Sequence, residues 1–342
     1  MNPNGKLLYF DGWRGLAVAL LLVGHFFPIP GINVGNFGVN LFFVLSGLLM
    51  TKILIIDNVP IPVFYRRRVS RIFPAFLSYL AITTLIFIFS HHDVRWEEFF
   101  SAITFTKNYY TQEGGDQMPL GHIWSLSVEE HSYIVLSGLA ILSRIGRVRI
   151  ITSLLFLIGA IVSICMIYYF TAPDVQIYSL THRSEVAALP IFAAGLFMLL
   201  PRLPSRFDWM IAPFTFFVAA AVQWWSLPFP IRIIIGSFAL AICIGTLGKA
   251  GRWTLACISW KPLRLLGLWS YSIYLWQQPF YLLQAEGLHP GLGALLGITC
   301  GIASYYLIES PARIYLNATW GKKTSVVSNG HLGPTAMAND DK

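Results

Sequence analysis

Charge is what this chain has least of: only 12% of its 342 residues are Asp, Glu, Lys or Arg, against 56% hydrophobic, and mean hydropathy is +0.62. A soluble enzyme carries roughly twice that charged fraction, so the composition excludes one. Cysteine is scarce as well. Cys165, Cys243, Cys257 and Cys300 sit in or beside apolar segments without paired spacing, which indicates neither a disulfide framework nor a zinc site, and no metal is expected. There is no Gly-rich nucleotide motif, no tandem repeat and no second domain, so any chemistry belongs to the apolar bundle itself. The first apolar segment lacks a small-residue cleavage pattern and is expected to stay in the mature protein.

Long apolar runs are what the chain has instead. They predict an all-α integral membrane protein of about ten transmembrane helices, roughly 13–29, 35–56, 73–90, 123–143, 150–170, 186–200, 209–226, 231–248, 265–284 and 291–308. Positive charge orients the spans. Arg66, Arg67, Arg68, Arg71, Arg144, Arg147, Arg149, Arg202, Arg206, Lys261 and Arg264 fall on alternate loops, and only Arg95, Lys107, Arg183 and Arg232 remain on the other side. That asymmetry predicts cytoplasmic N- and C-termini and accounts for the net charge of +8 without a nucleic acid partner. The acidic insert from His91 to Gly121 is expected outside. Residues 1–316 read as one polytopic membrane domain, and 317–342 as a polar cytoplasmic tail too poor in apolar residues to order itself.

Ionisable residues within the apolar segments need a reason, because they are costly in hydrocarbon. Arg14 and His25 lie eleven residues apart, near one face of the first helix with Asp11 and separated by about 16 Å along the axis. Asp11 can orient Arg14 or cap the helix start. Arg14 can equally snorkel to the interface, whereas the depth of His25 favours function. Arg68 and Arg71 form an i, i+3 pair ahead of a span, a spacing that suits anion binding as well as a topology anchor. Asn40 and Ser46 are polar groups in a lipid setting that can line a tunnel or bond a neighbouring helix, with Gly38 and Gly47 allowing close approach. Between His122 and Tyr133, the side chains of Trp124, Ser127, Glu129, Glu130 and Tyr133 offer a stacking surface, hydroxyls and carboxylates suited to a sugar, or else a plain interfacial belt.

Six patterns occur in order: RGLAVALLLVGH, FGVNLFFVLSGLLMT, FYRRRVSRIFPAF, GHIWSLSVEEHSY, SYSIYLWQQP and YYLIESPAR. Together, from about Tyr9 to Arg313, they resemble the membrane acyltransferase-3 family of bacterial O-acyltransferases. The resemblance implies a multi-pass protein of the bacterial cytoplasmic (inner) membrane. It would move an acyl group, acetyl in the commonest case, from cytoplasmic acetyl-CoA or another acyl-CoA to a hydroxyl of an extracytoplasmic or lipid-linked glycan or glycolipid. It assigns catalysis to Arg14 and His25 and associates Arg68 and Arg71 with the donor. The arginines suit its phosphates, and neutral His25 suits removal of a hydroxyl proton near Glu130. Transfer through an acyl-histidine stays open. The chain departs from the family pattern in two places. His131 and Ser132 stand where Gln and an aromatic residue are common, which leaves the acceptor contact open and offers a second imidazole, and Gln277 stands where many relatives carry His. Gln277 can hydrogen-bond substrate but cannot act as a base. A macrolide-type acceptor is an alternative, as is a polysaccharide or lipid-linked sugar exporter, although no pair of interrupted spans related by repeat is visible.

Overall fold

The computed structural model describes residues 8–110, 117–201 and 207–329, and among these every regular element is helical. The helices follow in chain order. They are α1 Leu8–Phe26, α2 Val34–Thr51, α3 Ile61–Phe89, α4 Trp96–Ile103, α5 Trp124–Arg144, α6 Ile150–Thr171, α7 Asp174–His182, α8 Ser184–Ala187, α9 Leu189–Leu199, α10 Asp208–Ala221, α11 Phe229–Thr246, α12 Arg252–Ile258, α13 Lys261–Leu282, α14 Pro290–Ser304 and α15 Ser310–Asn329. Local chemistry sets several starts. The Asn33 side chain accepts from Asn36 N at 3.1 Å to cap α2, and prolines in the first turn begin α3, α9, α11, α13 and α14, where no backbone donor is lost.

Among the described residues, five helical stretches are long and apolar enough to cross a membrane: Val34–Ile56, Ile61–Phe89, Ile150–Thr171, Phe229–Lys249 and Pro290–Trp320. The protein is therefore a multi-pass membrane protein. Its outward surface fits that solvent, since large apolar side chains such as Phe89, Phe156, Phe170, Phe214 and Leu307 stand exposed. Each of the ten expected spans falls on a helix, with different bounds. Ser184–Leu199 and Asp208–Ala221 are shorter apolar helices, the second ending five residues before the expected limit. α3 begins at Ile61 rather than near 73, because arginine is a good helix former and the helix runs through Arg66–Arg71. α15 continues to Asn329, so the expected tail boundary at 317 falls inside a helix, and residues 330–342 lie outside the described residues.

α1 is the central element, packed between α2 and α13, while α2 leans on α9 and α13 on α14. Small residues permit this closeness. A Cβ on Gly38 would stand 2.6 Å from Ala17 O, and one on Gly47 would stand 2.0 Å from Ile191 O. The insert between α3 and α5 is partly an interior structure. Glu98 and Lys107 are buried 3.6 Å apart, and the Glu98 carboxylate accepts from Gln117 N at 3.1 Å and Met118 N at 3.2 Å.

Candidate active site

A cavity of about 270 Å³ opens between α1, α2, α3, α5 and α13. Four guanidinium groups line it, those of Arg14, Arg67, Arg68 and Arg71, together with Ser46, Ser125, Glu129, Tyr133, Tyr271 and Tyr274. Helical spacing explains the arginine row: positions 67, 68 and 71 of α3 share the side turned to α1 and α5. Arg67 and Arg71 are exposed at the mouth, while Arg14 and Arg68 lie further in. The apolar remainder, including Phe42, Phe43, Leu45, Leu49, Met50 and Ile53, comes mainly from α2 and the π-helical turn Lys52–Ile56 that extends it.

Arg68 is the hub. Its Nε donates to Glu130 Oε1 at 2.8 Å, and its NH2 lies 2.7 Å from the same oxygen, off hydrogen-bond alignment, and 3.6 Å from Glu129. The guanidinium also stacks over the Tyr133 ring at 3.7 Å. Glu129 in turn accepts from Ser46 Oγ at 2.8 Å and from Tyr133 OH at 3.1 Å. Arg14 pairs with Asp11 at 3.2 Å, and since Asp11 is the fourth residue of α1, it orients the arginine from within the helix. Arg14 and Arg71 are close enough to repel each other electrostatically. Two unlike expectations thus merge: Arg68, read with the donor, and Glu129, Glu130 and Tyr133, read with the acceptor, form one network.

His25 lies elsewhere. It occupies the last turn of α1 and does not line the cavity. Its Nδ1 is 2.7 Å from Gln277 Oε1, its ring stacks on Tyr281 with centroids 4.5 Å apart, and the α1–α2 crossing beside it is close enough that a Cβ on Gly24 would meet Gly35 N at 2.2 Å. Gln277 is fully buried, and its Nε2 donates to Gln278 Oε1 at 3.2 Å, so its carbonyl is turned to the imidazole. The position without a second imidazole is therefore filled by an acceptor that holds the His25 N–H on Nδ1 and leaves Nε2 with the lone pair.

The remaining expected residues divide. Ser127 Oγ donates to Ile123 O of its own chain turn at 3.2 Å, and Trp124 presents its ring to His182 at 4.2 Å, so neither reaches the cavity. Asn40 does not line it either. Ser125, which the sequence places in the same short segment as Trp124 and Ser127, does line the cavity, its hydroxyl 2.6 Å from that of Tyr274; missed from sequence are Tyr274 itself and Tyr271, which donates to Ile72 O at 3.0 Å. Also missed is His122, buried against Tyr79 and Tyr274 with neither ring nitrogen hydrogen-bonded; Tyr274 OH donates to its carbonyl. Polar residues in an apolar run were the available signal.

Residues 7–309 match the acyltransferase domain of the acyltransferase-3 family. The chain is 28% identical to YrhL of Bacillus subtilis (strain 168), provisionally named a peptidoglycan O-acetyltransferase, over 94% of this chain and 59% of that protein. It is 28% identical to BcsY of Komagataeibacter xylinus, provisionally named a membrane-bound transacylase, over 92% of this chain and 85% of that one. It is 24% identical to the peptidoglycan O-acetyltransferase OatA of Listeria monocytogenes, over 79% and 48%. The chain thus spans about half the length of OatA and somewhat more of YrhL. No solved structure matches it. With its matched region covering most of the helical bundle and the whole arginine cavity, the chain belongs to the acyltransferase-3 family and is a multi-pass membrane protein.

Proposed function

We propose that the protein transfers an acetyl group from cytoplasmic acetyl-CoA to a hydroxyl of an extracytoplasmic or lipid-linked glycan, with His25 as general base. In this reading residues 1–316 form one catalytic unit of ten crossings in the bacterial inner membrane, with cytoplasmic termini. The observation that carries it is the cavity: four guanidiniums converge on a space of about 270 Å³ whose remaining wall is mostly apolar, with Glu129 and a few serine and tyrosine hydroxyls. A nucleotide head rich in phosphate matches Arg67 and Arg71 at the mouth and Arg14 within, and an apolar throat suits a slender thioester arm. His25 then stands at the far end of α1, where Gln277 keeps Nε2 basic for a hydroxyl proton as the hydroxyl attacks the acyl carbonyl. The names of OatA and YrhL support a glycan acceptor.

The test uses membranes containing the full chain, labelled acetyl-CoA and a bacterial glycan acceptor. Wild type transfers label to glycan, and His25→Ala reduces transfer by about 10²- to 10⁴-fold, the range for loss of a general base. Full transfer by His25→Ala would remove the histidine from catalysis, and no transfer from acetyl-CoA by wild type would remove the donor assignment.

A further inference from the structure

Most buried hydroxyls in this bundle are spent on their own helices. Ser78, Ser127, Ser132, Thr215 and Ser270 each donate to a carbonyl three or four residues back. Ser184 differs. It is half-buried, and its Oγ lies 2.7 Å from His131 Nδ1 and accepts from Asn108 Nδ2 at 3.0 Å. The three come from α5, the start of α8 and the insert after α4, so separate elements bring a hydroxyl, an imidazole and an amide to one point. The His131 ring also lies against Tyr109, with centroids 5.9 Å apart. In the tautomer that carries its proton on Nε2, Nδ1 is the acceptor of the Ser184 proton. Nucleophile and base then stand within the reach that activates a serine.

Asn108 adds a second element. It is buried, it donates toward Oγ, and its Oδ1 has no hydrogen-bond partner. An amide donor beside a nucleophilic oxygen is placed to stabilise an oxyanion on the carbon that this oxygen attacks. Glu185, next in sequence, is held apart from the imidazole by Tyr109 OH at 2.8 Å and Tyr168 OH at 3.1 Å and by Arg183 at 3.8 Å.

We infer that Ser184 is an acyl carrier, activated by His131, between the thioester donor and the glycan. The inference rests on the acyltransferase reading above and adds a covalent stop to it. In the first half-reaction Ser184 Oγ bonds to the acyl carbon, the carbon–sulfur bond of the thioester breaks, and the Oγ proton passes through His131 to the departing sulfur. In the second, the glycan hydroxyl gives its proton to His25 and attacks the seryl ester. The ester C–Oγ bond breaks and that proton returns to Ser184, so the net products are O-acyl glycan and free thiol.

Membranes with the full chain and labelled acetyl-CoA, without glycan, test this. Wild type retains label on the peptide that contains Ser184, and added glycan discharges it. Ser184→Ala loses that label and slows glycan transfer by about 100-fold or more, and Asn108→Ala slows it by about 10²- to 10³-fold. Ser184→Cys, close in size, separates lost chemistry from misfolding: it carries the label as a hydroxylamine-sensitive thioester. His131→Gln slows label uptake at the same residue. Glycan transfer at the wild-type rate by Ser184→Ala, or by a folded and unlabelled Ser184→Cys, overturns the carrier and leaves direct transfer through His25 standing. No transfer by wild type overturns both readings together.

Discussion

Arg68 and Arg71 sit one turn apart on the same face of α3, yet the structure gives them opposite tasks. Arg68 has a side chain 10% exposed and is committed to Glu130, Glu129 and the face of Tyr133. Arg71 is exposed at the cavity mouth. Arg68→Ala leaves two carboxylates in the interior without their counter-charge, a change worth about 3–5 kcal/mol of stability. Arg71→Ala removes an exposed charge and shifts stability by no more than about 0.5 kcal/mol. Binding reverses the order. Losing one charge-assisted contact to phosphate costs about 1.5–3 kcal/mol, so Arg71→Ala raises KM for acetyl-CoA by roughly 10- to 150-fold with little change in kcat.

Melting midpoints in detergent and initial rates against donor concentration read the two effects separately. A cycle with Arg68→Ala, Glu130→Gln and the double variant apportions the ion pair, and the double variant recovers part of the stability that Arg68→Ala loses. Equal losses of stability from Arg68→Ala and Arg71→Ala would refute the division of labour. So would an Arg68→Ala variant that melts as wild type.

Three further outcomes are expected. Gln277→Leu removes the acceptor that fixes His25 and lowers kcat by about 5- to 100-fold while KM for donor stays within about twofold, measured as steady-state transfer; an unchanged kcat would show that the 2.7 Å contact has no positioning role. Gly47→Ala drives a methyl into Ile191 O, separates α2 from α9 and costs about 1–3 kcal/mol, seen as a lower melting midpoint, whereas Gly138→Ala, with open space around it, melts as wild type. Glu98→Ala removes the acceptor of Gln117 N and Met118 N and a neighbour of buried Lys107, costs about 3–5 kcal/mol, and opens the insert to proteolysis near 104–120; an unaltered digestion pattern would count against the insert being anchored there.

The helices themselves were legible, because runs such as Ile150–Thr171 announce length and environment at once. Helix ends were less so. Hydropathy falls at Arg66, but the backbone continues as helix because arginine side chains extend away from it. The candidate residues were legible as polar atoms in apolar surroundings, which picked out Arg14, His25, Ser46, Arg68, Arg71, Glu129 and Glu130. Their partnerships were not. Arg68 and Glu130 are 62 positions apart, and His25 and Gln277 are 252 apart, so their meeting depends on how helices are rotated against one another. No local pattern encodes that register. The same holds for Ser184, an ordinary serine in a short connection until α5 and the α4–α5 insert bring His131 and Asn108 to it.

The carboxylates around Arg68 bear on turnover as well as architecture. A cavity lined only with free guanidiniums would grip any polyphosphate and release it slowly. Here Glu129 and Glu130 already occupy the innermost arginine, and Ser46 and Tyr133 fasten Glu129 in place. An arriving anion would compete with this resident counter-charge at Arg68, and with Asp11 at Arg14, and would gain its fullest attraction at Arg67 and Arg71 at the mouth. The result is a graded electrostatic ramp rather than a sink. On the proposed donor reading, ligands long enough to bridge mouth and throat would be retained, short anions such as inorganic phosphate would be let go, and a spent donor would leave by the door through which it entered.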